Sequence, residues 1–401
     1  MLKKTILAGL TLVAVTTLVV NAQAPASFPT IVVFANNVRF QDFAPDYRAD
    51  DRAGANPVAW GYLDRGVAGA VQSLERRNGF RAEHVFSHAI HGFSARLTAR
   101  QISQLESDSM IKYVEADGTM NIVAQTLPWG INKIDADMSS TIAGDGSGAV
   151  SNVTAYVIDT GIDTSHPDLN VVGHVNFAQG PNKDCNGHGT HVAGTIAAKD
   201  NAQDVVGVAP GAPLVGVRVL NCAGSGSTSG VIKGIDYVTA THAALAVANM
   251  SLGGGVSTAL DDAVRKSAAS GVFYALAAGN SGADACNSSP ARAGAGTDNG
   301  ILTVAATDSN DNEPSWSNFG RCVDIWEPGL NILSTRSGGG TTTMSGTSMA
   351  SPHGAGSGAL YLSTTAGTPS DVERAIKAAA VDTGTKSKDG AAIKRGYVES
   401  F

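Results

Sequence analysis

The sequence predicts an α/β fold in three layers, with helices on both faces of a mainly parallel sheet and a small α+β unit ahead of it. Two observations carry this. From Thr154 onward, nearly continuous apolar runs alternate with Gly- and Ser-rich turns and helical stretches. Strands covered on both faces read that way, whereas a half-exposed antiparallel strand alternates. Residues from 25 to 124 instead show short alternating segments and two helical stretches.

The chain opens with Lys3 and Lys4, an apolar run from Thr5 to Val20, and the small residues of Asn21-Ala22-Gln23-Ala24. This is the three-part layout of a secretory signal, and it assigns residues 1–24 to a leader. A cut after Ala22 is favoured over one after Ala24, because Pro25 directly follows the latter. A membrane anchor is the competing reading, but a span needs about 20 apolar residues. This run is shorter and includes threonines. A secreted, extracellular protein without stable membrane association is expected.

Residues 25–124 supply a strand at Thr30-Ile-Val-Val-Phe34, a helix over Val67 to Arg77 and two short strands between His84 and Leu97 with Gly92 between them. A second helix over Ala99 to Leu105 and a strand at Ile111-Lys-Tyr-Val-Glu115 complete the unit. Two helices on a small antiparallel sheet is the simplest packing for that order. Residues 125–401 then form one domain. Its apolar runs are Thr154 to Ile158, Leu214 to Leu220, Ala246 to Ser251, Val272 to Ala277 and Ile301 to Ala305. Several end in residues able to do chemistry, where open α/β sheets place their sites.

Hydrophobic residues make up 43% of the 401, and charged ones only 16%, so a large core is available. The formal charge of −7 argues against nucleic acid as a partner, since phosphate binding needs a basic face. Cys185, Cys222, Cys286 and Cys322 are an even count in an exported chain, which suggests two disulfides in any of three pairings. Zinc is disfavoured because no pair has the close Cys-x-x-Cys spacing.

Three motifs carry the chemistry. Asp159-Thr-Gly-Ile-Asp163 closes the first apolar strand. Asn186-Gly-His188-Gly-Thr-His191-Val-Ala-Gly-Thr195 and Gly346-Thr-Ser348-Met-Ala-Ser-Pro-His353 put a histidine and a serine at helix starts. Singly, each has a bland reading as turn, structural or capping residue. Together they suit nucleophilic catalysis. A serine hydroxyl is a weak nucleophile until an imidazole can take its proton, and the imidazole needs a buried carboxylate to fix its tautomer.

With these residues in the order Asp, His, Ser, the segment from about Pro128 to Phe401 resembles the subtilisin-like serine proteases. Within them it is most similar to the proteinase K branch, and there to the aqualysin type of bacterial enzyme. Asp184-Cys-Asn-Gly-His188, Val217-Arg-Val-Leu-Asn-Cys222, Ala248-Asn-Met-Ser-Leu-Gly-Gly-Gly-Val-Ser257 and Cys322-Val-Asp324 carry that closer match. The resemblance implies a subtilisin-like fold, with Asp159 as orienting carboxylate, His188 as general base then acid, and Ser348 as nucleophile. Asn280, in Ala277-Ala-Gly-Asn280, would donate to the oxyanion. His191 and His353 fall at positions read as structural.

By the same matching, Gly224-Ser225-Gly226 and Ser251-Leu252-Gly253 would sandwich an extended peptide, and Ala278 and Gly279 would floor an open primary pocket. A monomeric endopeptidase of broad specificity on protein and peptide substrates follows. The resemblance pairs Cys185 with Cys222 and Cys286 with Cys322. It implies structural calcium, with Asp324 and two backbone carbonyls from the loop before Ile301 as ligands, and no catalytic metal. Gly294 to Gly300 looks longer than the usual loop, so Asp298 could supply a ligand instead. Gly354 and Glu327 depart from the family pattern at sites of stability rather than chemistry. Asp135, Asp137 and Asp145 read as a solvated acidic loop. The unit over 25–124 resembles the family's inhibitory propeptide, a chaperone and inhibitor whose last residues, near Met120 to Gln125, lie in the active site and are cut by the enzyme itself. Two other classes compete: an inactive peptide-binding relative, and a zinc hydrolase using His188 and His191. The latter pair lacks the His-Glu-x-x-His arrangement.

Overall fold

The computed structural model describes residues 26–46, 64–118, 125–296 and 298–401, so the expected leader and residues 120–124 of the expected cleavage stretch lie outside the described residues. The chain divides into two compact units, Met1–Asn121 and Ile122–Phe401.

The first unit is an antiparallel sheet of β1 (Ser27–Phe34), β2 (Ala82–Phe86), β3 (Gly92–Thr98) and β4 (Ile111–Ala116), in the order β2-β3-β1-β4. Helices α1 (Arg65–Asn78) and α2 (Ala99–Glu106) accompany it. The Asp64 carboxylate accepts from the Val67 N–H at 3.0 Å to start α1, and Gly79, left-handed at φ 68°, ends it. Thr98 and Gln101 close a reciprocal capping box on α2. The α1 face of Val67, Ala70, Val71 and Leu74 packs with Val32, Phe34, Phe93, Ala95 and Leu97 of the sheet. Gly92 is not a spacer between two strands. It opens β3 opposite Val33, and the turn lies before it.

The second unit begins with a short helix, α3 (Trp129–Lys133), and holds a nine-stranded sheet. Its strands are β5 (Thr154–Asp159), β6 (Val171–Asn176), β7 (Leu214–Arg218), β8 (Ala246–Met250), β9 (Val272–Ala277), β10 (Ile301–Thr307), β11 (Ile325–Pro328), β14 (Val381–Lys386) and β15 (Ala392–Arg395). The order is β14-β15-β11-β10-β9-β8-β5-β7-β6, parallel except for the β14–β15 pair. A separate hairpin joins β12 (Ile332–Thr335) to β13 (Thr341–Met344). After β5 the chain runs out to the β6 edge, returns through β7, and crosses β5 to add β8, β9 and β10 on its other side. That reversal opens a crevice beyond the carboxyl end of β5, where ligands bind in open α/β sheets.

Side chains alternate between two cores. Ala155 and Val157 of β5, with Phe273 and Ala275 of β9, face α4 (His188–Ala197), α7 (Thr347–Thr364) and α8 (Pro369–Ala379). Tyr156 and Ile158, with Val272, Tyr274 and Leu276, face α5 (Thr228–Thr241) and α6 (Thr258–Ala269). Helix α7 lies so close to the sheet that a β-carbon at Gly358 would stand 2.5 Å from Phe273 Cδ1 and 2.6 Å from Cε1. Gly358→Ala is therefore expected to destabilise by about 1–3 kcal/mol, overcoming the gain of about 1 kcal/mol in helix propensity. A melting curve showing a raised Tm would contradict this close packing. Gly354 has the same origin, since a β-carbon there would lie 3.1 Å from Leu302 and 3.2 Å from Val304.

Candidate active site

Strand β5 delivers Asp159, fully buried, to the crevice, and α4 begins at His188. The His188 Nδ1–H reaches both oxygens of Asp159, at 2.8 and 3.0 Å. A carboxylate can only accept, so this contact places the proton on Nδ1 and leaves Nε2 as an acceptor. Burial by itself pulls the imidazole pKa down, but the charge and hydrogen bond of Asp159, with Asp184 behind, outweigh it and hold the ring above its ordinary value. Gly189 permits the approach, because a β-carbon there would meet the Gly161 carbonyl oxygen at 2.1 Å and Asp159 Cβ at 3.2 Å.

Asp184 is the anchor that sequence reasoning missed. Its Oδ1 accepts from Asn186 N–H, Gly187 N–H and the Thr160 hydroxyl, and its Oδ2 from Thr190 N–H and the Thr190 hydroxyl. Thr160 Oγ1 in turn accepts from Gly189 N–H at 2.9 Å. One buried carboxylate thus satisfies the donors at the start of α4 and ties them to the end of β5. An aspartate four residues before His188, ahead of a helix, was the available signal.

Ser348 lies in the first turn of α7. Its hydroxyl donates to the Ser251 carbonyl at 3.2 Å, and among the described residues no hydrogen bond joins it to His188. Rotation about its Cα–Cβ bond moves the oxygen between staggered wells, and such contacts commonly tighten only with substrate bound. The backbone around it is fixed. The Ser251 hydroxyl donates to the Ser348 carbonyl at 2.7 Å, the Asn249 amide donates to the Ser251 hydroxyl, and the Ser351 hydroxyl donates to Asn249.

Asn280 follows β9. Its Oδ1 accepts from the Thr347 N–H at 2.8 Å and the Thr347 hydroxyl at 2.9 Å, which fixes which end of the amide is oxygen. Its Nδ2 and the Ser348 N–H make no hydrogen bond among the described residues. A β-carbon on Gly346 would lie 3.5 Å from that Nδ2 and 3.6 Å from the Ser348 nitrogen, so the two donors flank one space. Donors held this way suit developing negative charge.

Two adjoining cavities share Leu252, Gly253 and Gly254. One, of about 410 Å³, is lined by His188, Gly224, Ser225, Gly226 and Ser251, with Leu220, Val231 and Leu260 as apolar wall. The other, of about 240 Å³, is lined by Ser348, Asn280, Ala278, Gly279 and Asn318. The backbone groups of Gly226, Leu252 and Gly253 make no hydrogen bond among the described residues, leaving two edges to which an extended peptide can add.

Disulfides join Cys185 to Cys222 and Cys286 to Cys322. The first ties the loop before His188 to the segment leading to Gly224. His191 and His353 are buried, and burial pushes both down to about 4. His191 Nε2 is taken by the Ile332 carbonyl at 3.0 Å and His353 Nδ1 by the Met349 carbonyl at 2.9 Å, which fixes both rings to backbone. Asp145 is occupied by Ser147 and Asp137 by Asn132. Glu327 is fully buried with neither oxygen hydrogen-bonded among the described residues, and burial raises it to about 8 against the pull of Arg395.

The surroundings of Asp324 do not fit a calcium ion. Its Oδ2 accepts from the Thr303 N–H at 2.7 Å, and its Oδ1 faces the Lys377 ammonium at 3.8 Å. Asp298, the alternative ligand, binds that same ammonium at 2.6 Å.

Residues 151–397 match the subtilase family and residues 51–122 the peptidase inhibitor I9 family. An alkaline serine exoprotease A of Vibrio alginolyticus is 46% identical over 326 residues, covering 76% of this chain and 58% of that protein's length. An extracellular serine proteinase of Thermus sp. (strain Rt41A) is 43% identical over 74% of this chain and 73% of its own. The crystal structure of a cold adapted subtilisin-like serine proteinase superposes with a TM-score of 0.59 at 44% identity, covering 67% of this chain and 97% of that one. The chain belongs to the subtilase family of serine proteases, with an I9 inhibitor unit ahead of its peptidase domain.

Proposed function

We propose that the chain is the precursor of a secreted endopeptidase of broad specificity, cleaving peptide bonds through an acyl-enzyme and releasing itself from its N-terminal unit. The observation that carries the reading is the imidazole of His188 held by both oxygens of Asp159 and lining one cavity, with Ser348, in a helix start locked to Asn280, lining the adjoining one. A peptide adds as a strand between residues 224–226 and 251–253, with its primary side chain over Ala278 and Gly279. Ser348 Oγ leaves the Ser251 carbonyl, gives its proton to His188 Nε2 and attacks the carbonyl carbon. Asn280 Nδ2 and the Ser348 N–H receive the oxyanion. His188 returns the proton to the leaving amine, and water then repeats the sequence to free the acyl group. No step needs a metal.

Backbone recognition at both edges binds many sequences, and the apolar walls favour large apolar side chains without excluding others. Self-release is supported by the seating of the residues just past the proposed cut. Gln125 donates to the Lys199 carbonyl at 2.8 Å, and Thr126 N–H donates to the Asp204 carbonyl at 2.9 Å, both within the peptidase unit. Secretion is supported by the leader-like N-terminus and the extracellular Thermus relative. Among the described residues no helix is long and apolar enough to cross a membrane.

The test is a serine-directed phosphonate on the exported protein, followed by peptide mapping and N-terminal sequencing. The label is expected on Ser348 alone, with a new terminus between Ala124 and Thr126. Cleavage inside a peptide blocked at both ends separates this endopeptidase from the exopeptidase reading suggested by the Vibrio relative's name. A label elsewhere, or failure on blocked peptides, would refute the proposal.

A further inference from the structure

Where the resemblance expects a calcium ion, three carboxylates from three segments close on one ammonium. Lys377, in α8, lies 2.6 Å from Asp298 Oδ1, 2.8 Å from Glu373 Oε1 and 3.8 Å from Asp324 Oδ1. Glu373 precedes Lys377 by four residues on the same helix, the favourable order for such a pair. The carboxylates also hold backbone. Glu373 is fully buried, and its Oε2 accepts from the N–H groups of Asn299, Gly300 and Ile301 at 2.7, 2.8 and 3.3 Å. Asp324 holds Thr303 N–H, and the Asp298 carbonyl accepts from the Ser370 hydroxyl at 3.1 Å. The ammonium therefore joins the loop entering β10, the residue before β11, and α8.

We infer that Lys377 is the resident cation of this corner, replacing a metal ion with a covalently attached one. Calcium needs 6–8 oxygens at 2.3–2.6 Å. At Asp324 one oxygen is committed to Thr303, and a second cation on the other would share the site with Lys377. The neighbouring carboxylates are engaged too, Asp298 by Lys377 and Arg374, and Glu373 by Lys377 and three N–H groups. Burial pulls the ammonium pKa down, but Asp298 and Glu373 outweigh it and hold Lys377 at about 12. The loop that looked long for the family is what brings Asp298 to the cluster.

The experiment uses the full chain carrying Ser348→Ala, so that self-digestion does not distort melting curves. Tm is read in excess EGTA and again in calcium chloride, for this parent, for Asp324→Asn and for Lys377→Met. Asp324→Asn is expected to leave any calcium-induced rise in Tm the same as in the parent. Lys377→Met is expected to lower Tm in EGTA by roughly 3–8 °C, the scale of losing a buried charge partner in a domain of this size. The inference falls if Asp324→Asn removes the calcium response, or if Lys377→Met melts with the parent in EGTA. Should Lys377→Met not fold, the calcium response of Asp324→Asn alone decides.

Discussion

Ser348→Ala is expected to lower kcat on a fluorogenic peptide by about a millionfold, the loss that follows removal of the nucleophile from a unit of this kind. The substitution deletes one oxygen and leaves the rest standing. The Ser348 carbonyl keeps its bond from the Ser251 hydroxyl, and Thr347 keeps its two bonds to Asn280. KM should stay within a few-fold, because the hydroxyl touches the two peptide-binding edges only at the Ser251 carbonyl, a bond it gives up before attack in any case. A residual rate of about 10³–10⁴ over water should persist from the oxyanion donors and binding. The variant should also accumulate as uncut precursor. A loss of less than a hundredfold would mean that another group attacks the substrate. A mature-sized product from purified variant would likewise remove self-cleavage from the scheme.

The second large effect is expected at Asp159. Asp159→Asn keeps shape and volume but cannot hold the Nδ1 proton as a carboxylate does, and a fall of about 10⁴ in kcat follows. The pH profile should move as well. Catalysis needs neutral His188, so kcat/KM falls as the pH drops through its pKa. In the parent that limb lies above the ordinary histidine value, because Asp159 and Asp184 outweigh burial. Removing the Asp159 charge deletes the largest raising influence, so the limb should shift to lower pH even as the plateau drops. Profiles of kcat/KM for both proteins check this. An unmoved limb would mean that the acid titration belongs to another group.

Within the peptidase unit, the strands read from sequence were those buried on both faces. Runs such as Val272 to Ala277 and Ala246 to Met250 have no exposed position, so their apolar character is continuous. Strands at the sheet's margins lack that signature. β6 is half exposed and carries Gly173 and His174, and β14 follows Val381 with Asp, Thr, Gly, Thr and Lys; β11, inside the sheet, is only four residues long and holds a buried glutamate. At the site, Asp159 meets His188, and Thr347, next to Ser348, meets Asn280, since each sits at a strand end or helix start with its own local signal. Most of their supports were not legible. Thr160, Asn249, Ser351 and Thr347 matter through partners that only the fold brings near, and Asp184 alone among the supports had a local signal, its place ahead of the His188 helix. Lys377 was hidden for the same reason, being a helix lysine until Asp298 and Asp324 arrive from elsewhere in the chain.

The position of β5, β8 and β9 within the sheet has a further consequence. Asp159, Ser251 and Asn280 hang from three adjacent strands with neighbours on either side, far from the frayed margins. Breathing of the β14–β15 or β6 border leaves them in register, whereas separating any two of them requires the centre of the sheet to open. These three groups therefore stand or fall with the centre of the sheet rather than with its borders.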